Sequence, residues 1–211
     1  MILHEHLSTS QPLQELVAKM ARLIETEDSI KQITERRMRP GIATSTESDV
    51  FKFEWNPALQ ALAIELARIL QSTITKKTLA NAGLSIRDPQ PQETGLTQQV
   101  LLTNEAMFTS NRNQGFLVVR LPISHDAHRG IIHHIQTCIP RLNKTQLSES
   151  TDPELQLRND KDHSEREKIK LVTDGVSLIY PGVGFRTEPP FIPVLVIPFP
   201  LQKTHHGDGE L

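Results

Sequence analysis

Between Ser10 and Pro40-Gly41 the chain carries Leu13, Leu16, Val17, Met20, Leu23 and Ile24 at spacings of three and four. That period places all six side chains on one face of a helix. Ser10 is a capping residue, and Pro12 falls in the first turn, where its missing N–H costs nothing. The stripe weakens at Glu27, and Ile30 and Ile33 drift around the helix. Arg36, Arg37 and Arg39 suit the carbonyl end of the helix, which Pro40-Gly41 closes. Burial of this one apolar stripe does not offset the entropy lost in ordering so long a segment on its own. The ridge must therefore be covered by the rest of the chain or by a partner helix, and its near-heptad spacing allows self-pairing. Its six apolar residues are the expected interaction surface.

Hydrophobic residues make up 37% of the 211, below the usual ~45–50% of globular domains. Part of the chain should thus lie outside any core. Lys plus Arg number 23 against 25 Asp plus Glu, a net charge of −2. That balance argues against a dedicated nucleic-acid binder and against a polybasic membrane anchor. The single cysteine, Cys138, excludes an intramolecular disulfide and a thiolate-rich metal site. The start of the chain has no basic segment followed by a long apolar run. The apolar stretch Phe191 to Leu201 is short and broken by Pro193, Pro198 and Pro200. These features point to a protein of the cytoplasm that does not enter a membrane.

The remaining pattern predicts α+β: N-terminal amphipathic helices, then a mostly antiparallel sheet of hairpins with a helix on one face. Residues 1–48 read as a helical arm, and 49–142 as the first part of the core. Within it, Phe51 and Phe53 alternate with charges as a strand. Asn56-Pro57 opens a helix carrying Leu59, Leu62, Leu66, Ile69, Leu70 and Ile74, and Gly83 ends it. Ser85 to Thr97 reads as a linker. Gln98 to Phe108 and Phe116 to Leu121 are expected to form a hairpin around the turn residues Asn111 to Gly115. Ser124 caps a third helix bearing Ile131, Ile132, Ile135 and Ile139, stopped by Pro140. Residues 143–170 are so charged that they read as a flexible insert, with a helical piece near Glu165 to Ile169. Residues 171–202 complete the core: a hairpin turning at Asp174-Gly175, then an edge strand, Val194 to Ile197, between prolines. Residues 203–211 form a tail.

Candidate chemistry concentrates at one junction. His125, Asp126 and His128 stand where a strand hands over to a helix. His125 and His128 are three apart, so they share a helical face and could reach one divalent metal, with Asp126 as third ligand or orienter. The alternative for these residues is to cap the helix and edge the core. His134 and Cys138 lie one turn apart, but the C-terminal end of a helix disfavours a thiolate, so Cys138 should be a buried inert thiol. His4-Glu5-His6-Leu7 resembles the His-x-His that opens metal sites in the amidohydrolase superfamily. That resemblance implies a (β/α)₈ barrel with further ligands on successive strands, a layout absent from this sequence. His205-His206 has no more support. Gly182-Val183-Gly184 lacks the third glycine of a dinucleotide loop, and no Walker A pattern occurs.

Two functions follow. The first is a non-enzymatic protein–protein interaction module: an adaptor, scaffold or assembly subunit, self-associating or binding a protein partner through the N-terminal helix, and needing no cofactor. The second is a small hydrolase or nuclease with a divalent metal on His125, Asp126 and His128, completed by His134 or a distant carboxylate. Nucleic-acid binding through Arg36, Arg37 and Arg39 ranks last because of the net charge of −2.

Overall fold

The computed structural model describes residues 3–31, 33–35, 50–53, 57–88, 99–103, 107–108, 113–138, 152–159, 161–162 and 164–204. Along these the elements run β1 (His4–Ser8), α1 (Gln11–Ile24), α2 (Glu27–Lys31), β2 (Thr34–Glu35), β3 (Val50–Lys52), α3 (Pro57–Gln71), α4 (Thr73–Asn81) and β4 (Leu84–Ile86). Then follow β5 (Gln99–Thr103), β6 (Gln114–Arg120), α5 (His125–Cys138), β7 (Glu154–Asn159), β8 (Arg166–Lys170), β9 (Gly175–Ile179), β10 (Val183–Glu188) and β11 (Val194–Lys203). The fold is mixed α+β with antiparallel sheets, the larger one curled as a half-barrel. Its order is β1-β9-β6-β11-β5-β3-β2, with β4 also on β11, and the smaller sheet runs β10-β7-β8.

The helical stripe is covered within the chain. Leu13, Val17, Met20 and Ile24 are buried, and α1 packs on α3. The helix is also shorter than its pattern suggests. It stops at Ile24, just before the stripe fails. The Thr26 hydroxyl accepts from the Ser29 N–H at 3.3 Å and starts the short α2. Thr34 and Glu35 are already extended, so the helix ends before them; residues 36–41 lie outside the described set. The second helix divides likewise. Ser72 accepts from the Thr75 N–H at 3.2 Å and caps α4, because a serine hydroxyl competes with the helical ladder. Gly83 follows α4 at φ +69°, the left-handed turn expected of it.

The two sheets face one another. Phe185 of β10 touches Phe116 of β6 at a centroid distance of 5.9 Å and Phe108 at 5.4 Å. The Thr103 and Thr187 hydroxyls meet at 3.0 Å, and Thr103 Oγ1 also accepts from the Thr187 N–H. These contacts close a seam between β5 and β10. Every β6 residue from Gln114 to Val119 is buried, so the larger sheet is covered on both faces, and one core cluster joins it to the stripes of α1, α3 and α5.

Several expected pairings are replaced by longer-range ones. The segments 98–108 and 116–121 are not a hairpin, because β11 runs between β5 and β6. Thus Val194–Ile197 is no edge strand: it belongs to a ten-residue central strand. Its prolines are tolerated by parity. The Leu201 N–H bonds Asn113 on the β6 side, while the Pro200 carbonyl accepts from Arg87 on the other side. Pro198 and Pro200 therefore turn their missing N–H toward the second side. Among the described residues, β5 on that side pairs as far as Val196, and β4 begins at Leu201. Ser85 and Ile86, at the start of the segment read as linker, belong with Leu84 to that β4. The segments flanking Asp174-Gly175 part into different sheets, with β8 on β7 and β9 on β1 and β6. Residues 154–159 and 166–170, within the segment expected to be flexible with a helical piece, form an antiparallel strand pair. The described part of residues 1–48 is joined to the core through α1 and through β1 on β9.

Candidate functional site

The junction proposed as a metal site is built from α5 and its cap. Ser124 Oγ accepts from the Ala127 N–H at 3.2 Å, and the Ser124 N–H donates to Glu25. These bonds set where the helix begins. His128, three positions in, is buried, and its Nε2 bonds the Pro190 carbonyl at 2.8 Å. Burial holds its pKa below the ordinary histidine value. The Pro190 bond opposes that shift, and the nearby His125 adds to it. Pro190 precedes Phe191, which is buried at φ 61° and anchored by its N–H on the Thr103 carbonyl. His128 thus braces the turn between β10 and β11. His125 and Asp126 are exposed. Among the described residues, no three His, Cys, Asp or Glu side chains are grouped to hold a metal ion. Cys138 is exposed rather than buried, with its sulfur 3.7 Å from His134 Nε2; it sits on the flank of the Ile131–Ile135 stripe, outside the packed face.

The six ridge residues part company. Leu13, Val17, Met20 and Ile24 point into the core. Leu16 is half-buried, and Leu23 is 38% exposed.

A different surface gathers the charge. In β7 Leu155, Leu157 and Asn159 face the larger sheet and are buried, so Glu154, Gln156 and Arg158 face out. Register places Lys170, Lys168 and Arg166 of β8 opposite these three, and Glu188, Arg186 and Gly184 of β10 on the other side. One outer face therefore presents five cations and two carboxylates in a chain whose net charge is −2. Arg186 donates from Nε and Nη2 to Gln156 Oε1 at 2.9 and 2.7 Å, and Gln156 Nε2 donates to Glu188. Lys168 Nζ reaches Glu188 at 2.9 Å. That bond raises the lysine pKa and, with the Gln156 bond, lowers the carboxylate's. Lys170 pairs with Asp152 at 3.5 Å, both well exposed. A cleft of about 420 Å³ opens on this face.

Opposite the β5–β10 seam, the sheets part between β1 and β8. A smaller cleft of about 280 Å³ there is lined by His4, His6, Ser177, Ile169, Lys170 and Val172. His4 Nδ1 lies 3.4 Å from Glu167, and the His6 ring lies over Gly175.

The sequence hid the charged face for a definable reason. Glu154-Leu155-Gln156-Leu157-Arg158 alternates as a half-buried strand should, but the charge density of its surroundings outweighs that signal in a composition-based reading.

The chain matches no protein-family model and no curated protein. Among solved structures it is similar to a Pseudomonas putida prolyl-4-hydroxylase, with a TM-score of 0.45 and 10% identity over 94% of this chain and 92% of that one. At that distance, fold and chemistry rest on this chain's own residues. No helix among the described residues is long and apolar enough to cross a membrane.

Proposed function

We propose that the chain is a non-enzymatic protein–protein interaction module, an adaptor or assembly subunit, that docks an acidic segment of its partner on the outer face of β10-β7-β8. The observation that carries this reading is the excess of cations at the outward register positions of that sheet. Such a concentration attracts and orients an anionic partner. Among the described residues β8 pairs only with β7, so an extended segment can add along its other edge while its carboxylates meet Arg166, Lys168 and Lys170. The charges on β8 discourage indiscriminate strand pairing and so favour an acidic partner over a neutral one. The partner surface is not placed on Leu13, Val17, Met20 and Ile24, since these already serve the core. An exposed free thiol at Cys138 suits a reducing compartment, and the module is assigned to the cytoplasm on that ground.

Anisotropy of a labelled short poly-glutamate peptide tests the reading. Saturable binding is expected, weaker as salt rises, lost in the double variant Arg166→Glu/Lys170→Glu and kept in Leu23→Glu. Binding indifferent to the sheet reversal, or lost with Leu23, would refute it.

A further inference from the structure

The cleft on the outer sheet face holds a feature that an acidic peptide does not explain. Arg158 is half-buried, and its Nε lies fully out of solvent with no hydrogen-bond partner among the described residues. A buried guanidinium N–H without an acceptor is costly, and native structures rarely leave one so. The cleft around it is lined by Gln156, Arg166, Lys168, Arg186 and Met107, and bordered by Leu157 and Glu167. Among the described lining residues four are cations and one, Glu167, is a carboxylate. Of the other acids on that face, Glu188 already accepts from Lys168 and Gln156, and Glu154 lies 4.0 Å from Lys168. Gly184 stands directly across from Arg158 in the register and brings no side chain to that position.

We infer that this cleft is a binding site for a small phosphate-bearing molecule, with Arg158 as its anchoring donor. Guanidinium forks match the oxygen edges of a phosphoryl group in paired hydrogen bonds. A phosphoryl dianion also offsets more of the clustered positive charge than one carboxylate does. At about 420 Å³ the cleft falls within the usual size of small-ligand sites. Met107 and the aliphatic stems of the cations offer an apolar wall to whatever carries the phosphate. The inference uses the same sheet as the interaction reading, but it rests on Arg158 and the cleft rather than on the β8 edge.

Calorimetric titration of the full chain with inorganic phosphate, pyrophosphate and citrate, at fixed ionic strength, tests it. Pyrophosphate is expected to bind one per chain, more tightly than phosphate and at least about tenfold more tightly than citrate. Arg158→Gln should weaken pyrophosphate by about tenfold or more, the loss of roughly one charged hydrogen bond. Should that variant melt early, Arg158→Lys, which keeps the charge but not the fork, is read instead and should weaken binding severalfold. No saturable pyrophosphate binding, citrate binding as tight, or affinity unchanged in both variants overturns the site. Pyrophosphate failing while poly-glutamate binds removes this inference alone; the converse removes the interaction reading alone.

Discussion

Replacing Leu13 by Ala asks whether the N-terminal ridge belongs to this subunit's core or to an interface. Leu13 is 0% exposed, on the buried face of a helix that packs on α3. Truncation removes the packed atoms and leaves a hole that two helices held by a shared core cannot fully close. The expected loss is about 3 kcal/mol, within the span of buried Leu→Ala changes. Leu23, on the flank and 38% exposed, should lose well under ~1 kcal/mol on the same change. For a domain of this size, ~1 kcal/mol shifts Tm by about 2–4 °C, so Leu13→Ala should melt about 6–12 °C lower and Leu23→Ala scarcely lower. Urea unfolding followed by far-UV circular dichroism, run at two well-separated protein concentrations, measures both. The midpoints should not depend on concentration. A loss below ~1 kcal/mol for Leu13→Ala, or a midpoint that climbs with concentration in the wild type only, would contradict burial within one chain.

Three other perturbations probe the frame around the candidate site. A Cβ on Gly175 would lie 1.8 Å from the His6 ring, so Gly175→Ala should cost about 1 kcal/mol, and most of that should vanish in a His6→Ala background; equal costs in both backgrounds would deny the contact. Thr103→Val strips the acceptor from the buried Thr187 N–H and should cost about 1–3 kcal/mol in urea unfolding, whereas a neutral change would show that the seam is not closed by this pair. His128 has a folded pKa below its ordinary value, with burial the leading cause; the unfolded chain therefore takes up the proton first. Stability should be full above about pH 6.5 and fall as pH drops below it, and His128→Gln should flatten that slope. A wild-type slope no steeper than the variant's would contradict the buried neutral imidazole.

The helical faces were legible because a 3.6-residue period is a local signal. Leu62, Leu66 and Leu70 are buried as their spacing requires. The sheet order was much less legible. A proline demotes a strand only if its missing N–H faces a neighbour, and the sequence near Pro198 and Pro200 does not say which side lies open. The described partners on that side, β5 and β4, come from residues about a hundred positions away. The seam has the same character, since Thr103 and Thr187 are 84 apart. His125, Asp126 and His128 show the converse: correct helical spacing brings side chains to one turn, but whether they converge depends on the Pro190 turn packed against His128. The cation face was hidden most deeply, because its five positive residues come from three strands, two of them inside a segment whose charge had suggested no fixed structure.

The docking surface can be located directly by amide hydrogen exchange of the full chain, with and without saturating poly-glutamate peptide. Slowed exchange is expected across 154–159 and 166–170, with residues 11–24 unchanged. Added protection on 11–24, or no protected region at all, would contradict it.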